Sequence, residues 1–232
     1  MGFRHEIKLY LSQAEYLRLR PVLRGLLPLD ENTGEKGEYF IRSLYFDDAS
    51  ETSYREKLAG VADRKKYRLR IYDLGDSVIK LECKEKKGDR IRKRSVSVTR
   101  ECADKLCQGD FSGLWDNPHP LCQEVLTLAN GRGLKPSVIV DYDREAYLHP
   151  VSNVRLTFDK ALHAGLESPD IFDKNLMSVP VFPDGHVIFE VKYDDILPAH
   201  LRGIVSSTSA PRLALSKFTL CLDELRKLKM KY

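Results

Sequence analysis

The sequence predicts an α+β protein centred on a closed antiparallel β-barrel, a tunnel of about eight strands with helices packed outside. Three observations lead there. Apolar and charged residues alternate with period two in at least four separate stretches. Three amphipathic helical stretches, Leu17–Leu27, Leu121–Leu128 and Leu220–Leu228, offer apolar stripes that need a wall to lie against. The charged strand faces are rich in Lys and Arg and hold only scattered carboxylates, so they neutralise themselves poorly. If helices cover the apolar faces from outside, the charged faces line the interior. There, unpaired charge is costly and calls for an anion, water and internal ion pairs. A sandwich with charged outer faces is the alternative topology, and it leaves the helices nothing to cover.

Each element follows from local pattern. In Glu6-Ile7-Lys8-Leu9-Tyr10-Leu11, Glu6 and Lys8 lie opposite Ile7, Leu9 and Leu11. Ser12, with Glu15 three residues on, forms a capping box. The helix it opens turns Leu17, Leu19, Val22, Leu23, Leu26 and Leu27 to the core and meets Pro21 as a kink or break. A polar, Gly-containing loop over 28–38 precedes a strand from Tyr39 to Asp47, in which Arg42 is the only charge before the end. A short helix or turn follows through Tyr54–Lys57. Lys65 to Lys86 is the most regular stretch. Tyr67, Leu69 and Ile71 alternate with Lys66, Arg68 and Arg70; after Asp73–Ser77, Ile79, Leu81 and Cys83 alternate with Lys80, Glu82 and Lys84. This is a hairpin with one apolar face and one cationic face. Lys87-Gly88-Asp89 turns it into a third strand, Arg90 to Thr99, with Arg92, Arg94, Val96 and Val98 on one parity.

Residues 100–108 are weakly helical, 109–120 form an irregular connection holding Trp115, and 121–129 make a short amphipathic helix ending at Asn130-Gly131. Strands are expected over Val138–Tyr147, with Val138, Val140, Tyr142 and Arg144 on one parity, and over Val154–Asp159, where Arg155, Thr157 and Asp159 oppose Val154, Leu156 and Phe158. A long loop from Leu162 to Gly185 leads to Val187–Tyr193, whose Glu190 and Lys192 oppose Val187, Phe189, Val191 and Tyr193. A short helix over 198–205 and a C-terminal helix from about Ser216 complete the pattern. No linker, repeat or shift in composition divides residues 1–232, so a single domain is expected.

Hydrophobic content of 42% and charged content of 31% describe a soluble globular chain. A net charge of +4 leaves room for a localised anion site without demanding one. Five cysteines without C-x-x-C spacing argue against a disulfide framework and a zinc site, and read as core or inert thiols. The chain shows neither an apolar signal core nor a run of transmembrane length, so a cytoplasmic chain not inserted in a membrane is expected. The histidines are scattered; His5 is expected to face outward, and none is placed as a general base. Few aromatics share the charged parity, which disfavours nucleic acid as a ligand.

In their order along the chain, several short motifs resemble the VTC domain. They are E-x-K at Glu6/Lys8, Y-F-D at Tyr45–Asp47, R-L-R at Arg68–Arg70, E-x-K at Glu82/Lys84, Y-x-R at Tyr142/Arg144, R-x-x-x-D at Arg155/Asp159, E-x-K at Glu190/Lys192 and S-K-F at Ser216–Phe218. The VTC domain is the polyphosphate polymerase domain of the vacuolar transporter chaperone complex, a branch of the triphosphate tunnel metalloenzymes. The resemblance covers nearly the whole chain. It implies a triphosphate tunnel fold and transfer of the γ-phosphoryl of ATP to inorganic polyphosphate with Mn²⁺ or Mg²⁺. It further implies that Lys8, Arg68, Arg70, Lys80, Lys84, Arg144, Arg155, Lys192, Ser216 and Lys217 hold phosphate. Among these, Arg68, Arg70, Lys84, Arg155 and Lys217 are the expected catalytic side chains. Glu190 is the expected metal ligand, with Glu6 and Glu82 as alternative ligands or ion-pair partners. Asp159 is expected to orient Arg155. Arg4 stands where classical tunnel hydrolases carry the first carboxylate of E-x-E-x-K, which favours the polymerase branch. No stretch matches the sensing and membrane segments of the eukaryotic proteins, so regulation stays open and a separate membrane partner is expected to supply product export. A binding module without turnover and a tunnel tri- or polyphosphatase are the other readings.

Overall fold

The computed structural model describes residues 2–150, 153–166 and 168–230. Strand β1 (Arg4–Leu11) leads into α1 (Gln13–Leu26), and β2 (Tyr39–Asp47) into α2 (Thr52–Leu58). β3 (Arg64–Tyr72), β4 (Lys80–Lys87) and β5 (Arg90–Ser97) form the expected meander. Helices α3 (Arg100–Cys107) and α4 (Pro120–Arg132) precede β6 (Lys135–Leu148), β7 (Arg155–Gly165), the short β8 (Ser178–Pro180) and β9 (Val187–Tyr193). α5 (Ala199–Ser206) and α6 (Lys217–Lys229) follow. Around the barrel the order is β6-β2-β3-β4-β5-β1-β9-β7, and β7 pairs back to β6, which closes eight antiparallel strands. β8 is an addition to the far end of β7.

Register decides what faces the tunnel. Ser43 lies opposite Arg70, Arg68 opposite Glu82, Lys84 opposite Lys93, Lys8 opposite Glu190, and Thr157 opposite Glu190. These pairs share the inward face, and a slip of one residue would turn each of them outward. The outward faces are apolar and covered. Leu69, Ile71, Leu81 and Cys83 pack against Ala103 and Leu106 of α3 and Leu121 and Val125 of α4. Leu9, Leu11, Phe158, Phe189 and Val191 pack against Tyr16, Leu19 and Leu23 of α1 and Leu201 and Val205 of α5. Each such side chain, once fully buried, contributes roughly 1.5–3 kcal/mol.

Four sequence expectations need correction. The core face of α1 is Tyr16, Leu19 and Leu23, with Leu27 behind them, while Leu17, Val22 and Leu26 are exposed. A buried carboxylate selects that face: Glu145 of β6 accepts hydrogen bonds from Arg20 (2.9 Å), Arg24 (3.1 Å) and the Tyr16 hydroxyl (3.1 Å). Pro21 is accommodated inside the helix without ending it. The stretch read as a loop from Leu162 begins as strand, since β7 runs on to Gly165 past a bulge at Asp141/Asp143, and β8 pairs with it; Glu167 lies outside the described residues. The apolar side of α6 does not lie on the outer wall. Phe218 and Cys221 fill the part of the lumen lined by Tyr45, Val138, Val140 and Ile188. Lastly, Asp159 does not orient Arg155, as described below. All five cysteines are buried and free. Among the described residues, no helix is long and apolar enough to cross a membrane.

Candidate functional site

The lumen left open by α6 is a cavity of about 380 Å³. Among the described residues, fifteen cationic side chains and three carboxylates line it. The lining therefore carries five cations for every carboxylate.

The hairpin that dominates the sequence supplies one wall. Arg68 donates to Glu82 Oε2 from Nε (2.9 Å) and Nη2 (2.7 Å), and from Nη1 to the Tyr45 hydroxyl (2.8 Å). Arg70 donates to the Tyr142 hydroxyl (3.0 Å) and Ser43 Oγ (3.2 Å). Lys93 of β5 holds the other oxygen of Glu82 at 2.8 Å. Burial alone would raise the Glu82 carboxyl, but Arg68, Arg70 and Lys93 outweigh it and keep the group ionised far below the ordinary range. Glu82 is fully buried beneath these cations and does not line the cavity, so of the three expected metal carboxylates it is the one that cannot reach a ligand.

Opposite lies a second network. Arg144 grips Asp159 bidentately (2.6 and 2.7 Å), and Lys217, delivered by the first turn of α6, contacts Asp159 and lies 2.9 Å from Glu190 Oε1. Glu190 also meets Lys192 at 3.1 Å and Lys8 at 3.3 Å. Glu6 meets Lys84 at 2.7 Å, Lys192 at 3.5 Å and Lys8 at 3.7 Å. Because three lysines share the Glu6 carboxylate, none is fully compensated. Burial, with Lys8 and Lys192 nearby, brings Lys84 down to about 7 despite its contact with Glu6. Glu6 itself is held well below the carboxylate range: burial opposes ionisation, but Lys8, Lys84 and Lys192 overcome it. Arg155 turns away from Asp159. Its guanidinium reaches Asp30 (2.5 Å) and the Tyr39 hydroxyl (2.7 Å) at the edge of the cavity.

The structure thus gathers Lys8, Arg68, Arg70, Lys84, Arg144, Arg155, Lys192, Ser216, Lys217, Glu6 and Glu190 around one cavity. Lys80 shares their parity but lies at the start of β4, outside the lining. Seven lining cations were not named as phosphate-holding groups from the sequence: Arg4, Lys57, Arg64, Lys66, Lys86, Arg92 and Lys93. Lys66 was legible from its parity with Arg68 and Arg70. Lys57 was not, because it comes from α2 rather than from a strand. Burial, reinforced by Lys8, Lys84, Arg64 and Lys57, depresses Lys66 to about 6. Tyr45 and Asp47 divide their work: Tyr45 faces Arg68, while Asp47 accepts the backbone N–H groups of Ser53 (2.9 Å) and Tyr54 (3.1 Å) and anchors α2.

Among the described residues, no three His, Cys, Asp or Glu side chains converge as metal ligands. The donor chemistry nevertheless fits a hard cation that arrives with phosphate. Glu190 and Glu6 are ionised and line the cavity. Across the ladder from Glu190, the buried Thr157 Oγ1 has no hydrogen-bond partner among the described residues. One or two carboxylates suffice when phosphate and water oxygens complete the sphere.

The family model for the VTC domain matches residues 3–226. The chain belongs to the VTC domain family. Among solved structures, this VTC domain is similar to a Hippeastrum protein described as an adenylyl cyclase with a dominant triphosphatase activity, at 15% identity over 95% of this chain and 96% of that one, with a TM-score of 0.60. It is also similar to a Bacillus halodurans protein described as an adenylate cyclase (14%, 93% and 96%, TM-score 0.53). A Pyrococcus horikoshii protein follows (12%, 95% and 99%, TM-score 0.50). At these identities the likeness carries the tunnel fold alone. No curated protein matches the chain.

Proposed function

We propose that this VTC domain is a polyphosphate polymerase, transferring the γ-phosphoryl of ATP to the end of a growing polyphosphate chain as one cytoplasmic domain, with a separate membrane protein exporting the product. The observation that carries this reading is the excess of cations over carboxylates in a cavity fitted for phosphates, on a chain of this family. Phosphoryl transfer needs little covalent help from protein; it needs alignment and charge placed against the equatorial oxygens. Arg68 and Arg70 offer planar forks already fixed by Glu82, Tyr45 and Tyr142, so little ordering cost remains when phosphate binds. Lys8, Lys84, Lys192 and Lys217 are mobile point charges that exchange a carboxylate for a phosphate oxygen. That exchange frees Glu190 and Glu6, which with phosphate oxygens would hold Mn²⁺ or Mg²⁺; the cation supplies further neutralisation of the transferring group. Arg144 and Arg155 bind from the far wall.

A second reading, binding without turnover, is favoured by one observation: Glu6 and Glu190, which line the cavity with Asp89, are already engaged by lysines. Incubation with ATP and Mn²⁺, scoring ADP, orthophosphate and long-chain polyphosphate separately, decides among the readings. Polyphosphate with stoichiometric ADP supports the polymerase, orthophosphate alone a hydrolase, and neither with tight tripolyphosphate binding a binding module.

A further inference from the structure

Among the described residues Lys66 forms no ion pair; Lys8, Lys84, Arg64 and Lys57 are the charges about it, and its Nζ lies over the Phe218 ring at 4.8 Å. Its hydrogen-bond partner is Ser216 Oγ, 2.7 Å away. Ser216 lines the cavity and is the N-cap of α6. The Thr219 N–H points at its oxygen (3.5 Å), Lys217 follows it, and Lys8 holds the carbonyl of Leu215 at 3.0 Å. A hydroxyl in the phosphate cavity, beside an amine that has no carboxylate to keep it protonated, is an activated nucleophile next to its base.

We propose that Ser216 is a phosphoryl acceptor, modified by the terminal phosphoryl group of a triphosphate bound in the tunnel, with Lys66 as the base. Ser216 Oγ attacks the terminal phosphorus, and a new Oγ–P bond forms. The bond from that phosphorus to the bridging oxygen breaks, its electron pair leaving on ADP, or on pyrophosphate when tripolyphosphate is the donor. The Oγ proton passes to Lys66 Nζ, which becomes an ammonium ion. The depressed titration of Lys66 leaves its lone pair available at neutral pH. The product is stabilised where it forms: a phosphoserine at a helix N-terminus complements the backbone dipole, and Lys66, now charged, and Lys217 flank it. Resting on the polymerase reading, the modification gives the enzyme an acceptor of its own when no free phosphate chain is bound.

The test uses the whole chain, with γ-labelled ATP and Mn²⁺ in one arm and tripolyphosphate in the other, quenched in denaturing acid and peptide-mapped. One phosphoryl group is expected on the Ser216 peptide, stable to acid and lost in alkali as phosphoserine is. Ser216→Gly, which keeps an acceptable N-cap, should carry no label. It should also start polyphosphate synthesis from ATP alone only after a lag, which added pyrophosphate abolishes. Lys66→Arg puts a permanent positive charge at this position that cannot take a proton. Its labelling rate should fall by about 100-fold or more although tripolyphosphate affinity holds or rises with the added charge, an outcome that a purely electrostatic role would not give. Wild-type turnover with an unlabelled Ser216 peptide, or full labelling of Ser216→Gly, overturns the proposal and leaves the polymerase reading standing. If ATP yields neither ADP nor polyphosphate, the polymerase reading fails, and the tripolyphosphate arm still decides: label at Ser216 upholds the acceptor, and none refutes it.

Discussion

Replacing Glu82 by glutamine tests whether the tunnel wall is held together by charge. The carboxylate is fully buried, with Arg68 Nη2 at 2.7 Å, Lys93 Nζ at 2.8 Å and Arg70 Nη1 at 3.7 Å. Glutamine keeps the shape and an acceptor oxygen but leaves three cations facing one another without a counter-charge. Breaking a buried pair by removing one partner costs about 3–5 kcal/mol. For a chain of this size each kcal/mol moves the midpoint by roughly 2–4 °C, so Glu82→Gln should melt at least about 6 °C below wild type. Tripolyphosphate should rescue it. An anion in the tunnel supplies the missing charge, so the ligand-induced shift should exceed the wild-type shift, itself about 2.7 kcal/mol at a hundredfold excess over Kd. The pH dependence has a definite sign. Glu82 titrates far below its unfolded value, so its contribution is present above the ordinary carboxylate range, about pH 4.3, and is lost as pH falls toward the folded value. The gap between wild type and variant should therefore narrow in acid. Thermal melts with and without tripolyphosphate across pH measure all three effects. A midpoint within about 2 °C of wild type would refute the argument that Glu82 neutralises this wall.

Three further outcomes are expected. Glu190→Gln should abolish metal-dependent turnover while sparing metal-free tripolyphosphate binding; wild-type turnover across a Mn²⁺ titration would reduce Glu190 to an ion-pair partner of Lys8, Lys192 and Lys217. Arg70→Met keeps the buried stem and removes the fork, so tripolyphosphate affinity should drop by about 1.5–3 kcal/mol, read by calorimetry; unchanged affinity would place Arg70 in the scaffold only. Binding should also take up protons near about pH 7.5, because an anion restores the charge of Lys84, which titrates at about 7 when the tunnel is empty. Affinity should weaken as pH rises, and calorimetry in buffers of different ionisation heat should show net uptake; no buffer dependence would contradict it.

The inward parity of β1, β3, β4, β6 and β9 was readable from alternation alone, because in a closed barrel the period-two pattern maps directly onto inside and outside. What alternation cannot encode is pairing between distant elements. Arg155 and Asp159 lie four residues apart on one inward face, yet Arg155 takes Asp30 from the loop after α1 and Asp159 takes Arg144 and Lys217. Lys57 escaped notice because a helix delivers it, and α1 turned a different face inward because Glu145, a single acid in an apolar strand, recruits Arg20 and Arg24. Glu82 shows the converse limit. Its spacing matches Glu6 and Glu190, but flanking arginines and Lys93 seal it in the wall, and only the three-dimensional packing reveals that.

The position of Lys217 at the head of α6 fixes when in the life of the chain the cationic lumen is completed. Barrel closure joins β1, made first, to β9, and the cationic lumen is then completed by a lysine, with Phe218 and Cys221 behind it, from a helix made later still. A nascent chain still lacking that helix would carry Arg68, Arg70 and Glu190 on strands whose inward apolar neighbours, Val138, Val140 and Ile188, lack Phe218 and Cys221 to pack on. The cationic lumen is thus completed only when the last helix has been made and seated, so the cavity and the full fold arise together.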